Sequence, residues 1–111
     1  MKRFPSIKKN SEFQKVYRGG ASQANRLLVM YVVRNGEDTN RIGISVSKKV
    51  GNSIVRHHIT RLLREIFRLN GDKLQTGLNI VVVARPAAKE SDYKHLESAY
   101  LHLCGLHNIK K

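Results

Sequence analysis

Between Val55 and Leu69 the sequence writes two stripes onto one helix. At about 100° per residue, Val55, Ile59, Leu62, Leu63, Ile66 and Leu69 share one face, while His57, Arg61, Arg64 and Arg68 lie within about 60° of one another on the opposite face. One side packs, and the other offers the chemistry of polyanion capture. From Arg41 to Arg68 the chain carries seven Lys and Arg against the single acid Glu65. Exposed helices ordinarily mix signs through Glu-to-Lys pairs four residues apart, so a face this one-sided repels itself and calls for neutralisation from outside.

A solvated surface that happens to be basic is the plain alternative, and composition decides against it. The chain has 21 Lys plus Arg against 8 Asp plus Glu, a formal charge of +13 on 111 residues, with a pI near 10.4. That balance belongs to binders of nucleic acid or anionic surfaces. The charge is uneven: residues 1–26 hold seven basic groups against Glu12, whereas 86–111 hold four against three acids. The binding surface is therefore expected on a basic N-terminal arm, a first helix and the two-striped helix, with the last helix on the back.

Other chemistries find little support. None of the five histidines forms a His-x-x-x-His pair, and His57 and His58 point about 100° apart on a helix, so no metal site is expected. There is no phosphate-binding Gly-x-x-x-x-Gly-Lys loop, nucleophile elbow or paired catalytic carboxylate, and Glu37-Asp38 reads as a solvated turn tip. No catalytic residue is assigned. Cys104, the only cysteine, lies in an apolar helical stripe and reads as a small buried hydrophobe. No apolar run approaches the roughly 20 residues of a membrane span, and Met1 to Pro5 has no apolar region behind its charges, so a cytoplasmic protein with no membrane partner is expected.

The elements that must position the basic face follow from local signals. The length suits one domain over residues 1–111, burying roughly two thirds of its unfolded surface. Asn10 or Ser11 can cap a short first helix in which Phe13, Val16 and Tyr17 share a face, Gln14 can complete a capping box with Ser11, and Gly19-Gly20 end it. Leu27 to Val33 reads as a strand, and the polar turn from Arg34 to Asn40 predicts an antiparallel hairpin with the next one. There Ile42, Ile44 and Val46 alternate with Gly43, Ser45 and Ser47, which buries one face and leaves the other open to close approach. After the turn at Gly51-Asn52 and the two-striped helix, Leu78 to Ala84 suits a central strand covered on both faces. Arg85-Pro86 stops it, and Ser91 can cap a last helix with Tyr93, Leu96, Tyr100, Leu103 and Cys104 as its stripe. The fold class is α+β, a two-layer sandwich of a small mixed sheet with three helices in the order αβββαβα.

Phe13 and Tyr17 lie one helical turn apart and can either anchor the first helix to the sheet or stack on unpaired bases. Tyr31 presents the same choice, and the small face of Gly43, Ser45 and Ser47 favours a groove.

The run Ser45-Val46-Ser47-Lys48-Lys49-Val50-Gly51-Asn52-Ser53-Ile54-Val55-Arg56, continued by Ile59 and Arg61-Leu62-Leu63-Arg64-Glu65, closely resembles the signature of the bacterial ribonuclease P protein family. Phe13-Gln14-Lys15-Val16-Tyr17, Ala24-Asn25-Arg26 and Ile80 through Pro86 extend the resemblance along most of the chain. It implies a ribonucleoprotein that removes the 5′ leader of precursor tRNA, with catalysis by RNA and its magnesium ions, and a left-handed strand-helix-strand crossover. Carried over by position, Arg56, Arg61 and Arg64, with Lys48, Lys49, Gly51 and Asn52 in the adjoining loop, would contact the catalytic RNA. His57 and Arg68 join them from the basic stripe. Phe13, Tyr17 and Tyr31, beside Ser45 and Ser47, would line a groove for the single-stranded leader. The family motif Arg-Asn-Arg is here Arg56-His57-His58, and Thr60 stands where another basic residue is usual.

Two other classes fit the charge: a small ribosomal or RNA-chaperone protein without an enzymatic role, and a basic DNA-binding module. The basic helix lacks an obvious preceding helix, which argues against a helix-turn-helix and for RNA over DNA.

Overall fold

Leu78–Ala84 is apolar at every position but Asn79, and it becomes one of the two inner strands of the sheet. The computed structural model describes residues 6–111, so Lys2 and Arg3 of the basic arm lie outside it. The elements are α1 (Asn10–Gly19), β1 (Ala21–Ala24), β2 (Leu28–Arg34), β3 (Arg41–Ser45), α2 (Ser53–Leu69), β4 (Leu78–Ala84) and α3 (Tyr93–Leu106), with short 3-10 turns at Gly71–Lys73 and Pro86–Glu90. The sheet order is β1-β2-β4-β3. β4 pairs antiparallel with β2, from Leu28 opposite Ala84 to Arg34 opposite Leu78, and parallel with β3, from Arg41 opposite Asn79 to Ser45 opposite Val83.

This pairing corrects the predicted hairpin. β2 and β3 are not partners: β4 lies between them, and the polar 34–40 segment crosses over it. β3 instead finds a parallel partner across the long excursion that carries α2, which is what a parallel pair requires. Gly77, with φ of +83°, accepts at its carbonyl from the Asn35 amide at 3.0 Å, which fastens that segment to the chain entering β4.

Alternation along the strands divides the apolar residues between two faces. Leu28 and Met30, Ile42, and Leu78, Ile80, Val82 and Ala84 join the main core, where Ile59, Leu63, Ile66 and Phe67 of α2 and Leu96, Tyr100, Leu103 and Cys104 of α3 pack over them. α2 and α3 thus form the second layer of the sandwich. α1 lies on the opposite face as a partial third layer, where Val16 and Ile7 close over Val81 with Phe13, Tyr17, Tyr31, Val33 and Val83 around them. The β1 end of that face, at Ser22 and Ala24, stays exposed beside α1.

Helix details differ from the local signals in three places. The residue at the α1 N-cap is Lys9, without a side-chain cap, and Asn10 is already helical; neither Asn10 nor Ser11 caps the helix. Asp92, not Ser91, caps α3 by accepting from the His95 amide at 3.0 Å. On α2, Leu69 is 51% exposed while Phe67 is buried, because Phe67 is four residues past Leu63, about 40° away, and Leu69 falls about 120° off. Gly20 does end α1, donating to the Val16 carbonyl at 2.8 Å. Cys104 is fully buried, and burial pushes its thiol up to about 11. Asn70 joins α2 to α3 by donating to the Ile66 carbonyl at 2.8 Å and to Glu97 Oε2 at 3.0 Å.

Candidate nucleic-acid interface

α2 starts where its sequence can satisfy a free helix end. The Asn52 side chain accepts from the Val55 amide at 3.0 Å, a cap worth about 1 kcal/mol. Gly51 precedes it because a Cβ there would sit 2.8 Å from a Val55 methyl carbon. Both were expected to touch RNA; the structure commits the Asn52 oxygen to the cap and gives Gly51 a packing role. Lys48 and Lys49 are exposed in the turn leading to them, in which Ser47 accepts from the Val50 amide at 3.1 Å.

Beyond this cap His57, His58, Arg61, Arg64 and Arg68 are all exposed. Arg56 is not on the same stripe. It stands seven residues before Leu63, almost in line with the apolar face, is half-buried, and its Nε has no protein partner among the described residues. It lines a cavity of about 300 Å³ between α2 and the end of β3, with Ile44, Val46, Ser53, His57, Thr60 and Arg64. Thr60 donates to the Arg56 carbonyl at 2.8 Å. Arg68 differs from the other arginines because it forms an ion pair with Glu65 one turn back. The hydrogen bond from Arg68 holds the Glu65 carboxyl below its ordinary value. Of the predicted cationic contacts, Arg56, His57 and Arg64 are brought together, Arg61 stands beside them, and Arg68 is already engaged.

The second surface lies across the sheet. β1 pairs with β2, placing Ala24 opposite Val29; Val29 faces Val83, and Val83 faces Ser45. These four make a row of small side chains across all four strands on the α1 face. Beside the row, the ring of Phe13 lies over Gly43, so close that a Cβ at Gly43 would meet it at 2.9 Å. Phe13 and Tyr17 have centroids 6.3 Å apart, and Tyr17 meets Tyr31 edge-on at 4.9 Å. Burial raises the Tyr17 phenol, and a hydrogen bond with Ser45 partly offsets this. Phe13, Tyr17 and Ser45 line a cavity of about 270 Å³ with Ile44, Lys8 and Asn10. The three rings seat α1 against the sheet and stay half-exposed; Phe13 and Tyr17 line the cavity, and Tyr31 adjoins it through Tyr17. Ser47 lies past the strand end and does not line the cavity. Alternation from Tyr31 could have found Val29, and Lys8 belongs to the basic arm whose charge pointed to the binding surface, but Val83 enters only through the pairing of β2 with β4.

Glu12 is turned away from both surfaces. It pairs with Arg41 at 2.6 Å, and the Arg41 hydrogen bond holds its carboxyl below 4.5. Arg41 also donates to the Ser6 carbonyl at 3.2 Å, beside the hydrogen bond of Ile7 to the Ile42 carbonyl, so residues 6–7 cover the first half of the β3 edge. The far half, at Ile44 to Val46, borders both cavities. Among the described residues no group of three His, Cys, Asp or Glu side chains is placed to hold a metal ion, and no helix is long and apolar enough to cross a membrane.

A mixed sheet with an open trough on one face and a cationic helix beside its edge defines a basic polyanion-binding α+β protein. The sequence matches the ribonuclease P protein family over residues 1–107, and the chain belongs to that family. It is 55% identical over 97 residues to the ribonuclease P protein component of Alkaliphilus metalliredigens, covering 87% of each chain. To that of Lachnoclostridium phytofermentans it is 53% identical over 104 residues, covering 94% of this chain and 90% of the relative. The fold matches the ribonuclease P protein of Staphylococcus aureus with a TM-score of 0.89 at 35% identity, over 98% of this chain and 100% of that one. Against the Thermotoga maritima protein the TM-score is 0.82 at 29% identity, over 88% and 93%. The chain is thus a protein component of ribonuclease P, the endoribonuclease of tRNA 5′ processing, as the resemblance implied.

Proposed function

We propose that this chain holds two RNAs on adjoining surfaces. The ribonuclease P RNA lies along α2, on Arg56, His57, Arg61 and Arg64 with Lys48 and Lys49, and the single-stranded 5′ leader of precursor tRNA lies in the trough on Phe13, Tyr17, Tyr31 and Ser45. The observation that carries this reading is Ile44, which lines both cavities: a strand leaving the trough over the β3 edge arrives at the cations of α2. Guanidinium groups suit phosphate oxygens, and half-exposed rings over a small-residue floor suit unpaired bases.

The chain's part is to position substrate and neutralise charge, while the RNA does the chemistry in the cytoplasm. Magnesium fits this protein poorly, since hard divalent cations take several oxygen ligands and no carboxylate group of that kind is present among the described residues. We assign the ion to the RNA and derive no step through it. Reconstitution tests the reading. The protein alone should not cut precursor tRNA, and with a bacterial ribonuclease P RNA it should restore cleavage at magnesium concentrations where the RNA alone is slow. Cleavage by highly purified protein without RNA, or no help to the RNA, would refute it.

A further inference from the structure

Ile54 is 78% exposed, the most exposed large apolar side chain among the described residues. It stands in the first turn of α2, in a cationic region where an aliphatic group has no electrostatic use. His57, His58 and Arg61 follow at three, four and seven residues, so the four side chains form one continuous patch. With Ser53 they line a cavity of about 500 Å³ on the side of α2 turned away from the sheet. Among the described residues no hydrogen bond or ion pair engages the His57 or His58 ring or the Arg61 guanidinium. No carboxylate lines the cavity.

We infer that this patch is a docking site for a single unpaired nucleobase of the ribonuclease P RNA, stacked on the His58 and His57 rings against Ile54, with Arg61 on a flanking phosphate. The inference rests on the reading that α2 binds that RNA, and it adds a contact of a different kind. The cavity on the other side of His57 is built for phosphate, with Arg56, Arg64 and the Ser53 hydroxyl. The outer patch is instead planar and aliphatic. Imidazole and guanidinium planes stack on bases of any sequence, and a base laid over Ile54 removes apolar surface from water, which a phosphate cannot do. Charge selects the partner: a second copy of a chain at +13 would be repelled, and an RNA is attracted.

The test separates stacking from charge. Ile54→Ser and His58→Ala should each weaken binding to ribonuclease P RNA by roughly 5- to 150-fold, the usual worth of a stacked base. Ile54→Ser should leave the slope of log affinity against log salt unchanged, while Arg61→Ala should make it shallower by about one. The melting temperature of Ile54→Ser should equal that of the unaltered chain, because the side chain is solvated. The Ile54 methyl NMR signal should move upfield on RNA binding from the ring current of the stacked base. Unchanged affinity of Ile54→Ser, or a static methyl signal, would overturn the subsite while the unaltered chain still bound RNA. Failure of the unaltered chain to bind the RNA would overturn the subsite together with the reading of α2. A methyl shift that grows with protein concentration in the absence of RNA would give the patch to a second copy and overturn it as well.

Discussion

The ring of Tyr17 stands edge-on to that of Tyr31, with centroids 4.9 Å apart and planes at 73°. The pair links α1 to β2 at the border of the trough, so each ring is partly committed to the fold and partly exposed. Such pairs contribute about 0.5–1.5 kcal/mol beyond the area they bury, and stacking on a base adds a separate term at the exposed part. Tyr17→Ala should therefore lose roughly 1–3 kcal/mol of affinity for precursor tRNA, with mature tRNA nearly indifferent because it has no leader. Titrating the two RNAs in parallel checks this, and equal losses for both would remove Tyr17 from the leader site.

The cations of α2 should not behave alike. Arg61 and Arg64 are exposed, and among the described residues neither pairs with an acid, so replacing either by Ala should make the salt dependence of RNA binding shallower by about one unit. Arg68 must first leave Glu65. Arg68→Ala should change the slope less, and Glu65→Gln, which frees the guanidinium, should tighten binding at low salt. Filter binding over a range of salt concentrations reads all four variants. A slope change for Arg68→Ala equal to that for Arg61→Ala would mean that the ion pair opens without hindrance.

Much of this arrangement was legible in the sequence, and what was not has identifiable causes. The period of α2 placed its basic face correctly because five turns of repetition average out local noise. It misassigned Leu69 and overlooked Phe67 at the end of the helix, where about 100° per residue still orders them correctly once Leu63 is taken as the centre of the stripe. The predicted hairpin failed for a deeper reason. Nothing between Leu28 and Ser45 records that β4, 33 residues further along, will insert between the two strands; the turn signals at 34–40 are the same for a hairpin and for a crossing. β1 is four residues long and exposed throughout, so its alternation carries no signal at all. The trough inherits this limit: Phe13 and Ser45 were each visible as candidates, but their meeting depends on which strand lies at the edge.

Acid should weaken the fold through Glu12. Its carboxyl is held below 4.5 by the hydrogen bond from Arg41, so the pair contributes stability that is fully present above about pH 4.5 and is lost as pH falls through the lower folded value. Glu12→Gln should melt at a lower temperature than the unaltered chain at pH 7, and the two curves should converge as pH approaches 3. Comparing the two chains isolates this pair from Glu65 and Asp92, whose carboxyls are also lowered. Parallel curves across that range would show that Arg41 gains nothing from the charge of Glu12.

Gly43 connects the fold to the trough most directly. A Cβ at this position would lie 2.9 Å from two carbons of the Phe13 ring and 3.2 Å from Ile7 Cβ, closer than side chains tolerate, while the strand backbone is held by its pairing with Val81. The ring is the part that must move. Gly43→Ala should lose roughly 1–3 kcal/mol of stability, the usual result of overfilling a packed site, and should weaken binding of precursor tRNA by displacing Phe13 from the floor it rests on. A second change tells displacement from general damage. Phe13→Leu removes the ring carbons that clash, so the double variant Gly43→Ala with Phe13→Leu should be more stable than the sum of the two single losses predicts, a coupling expected only for groups in contact. Its affinity for precursor tRNA should stay low, since the stacking ring is gone. Thermal melting and RNA titration on the three variants measure both quantities, and strictly additive stabilities would mean that the strand, not the ring, yields to the new methyl group.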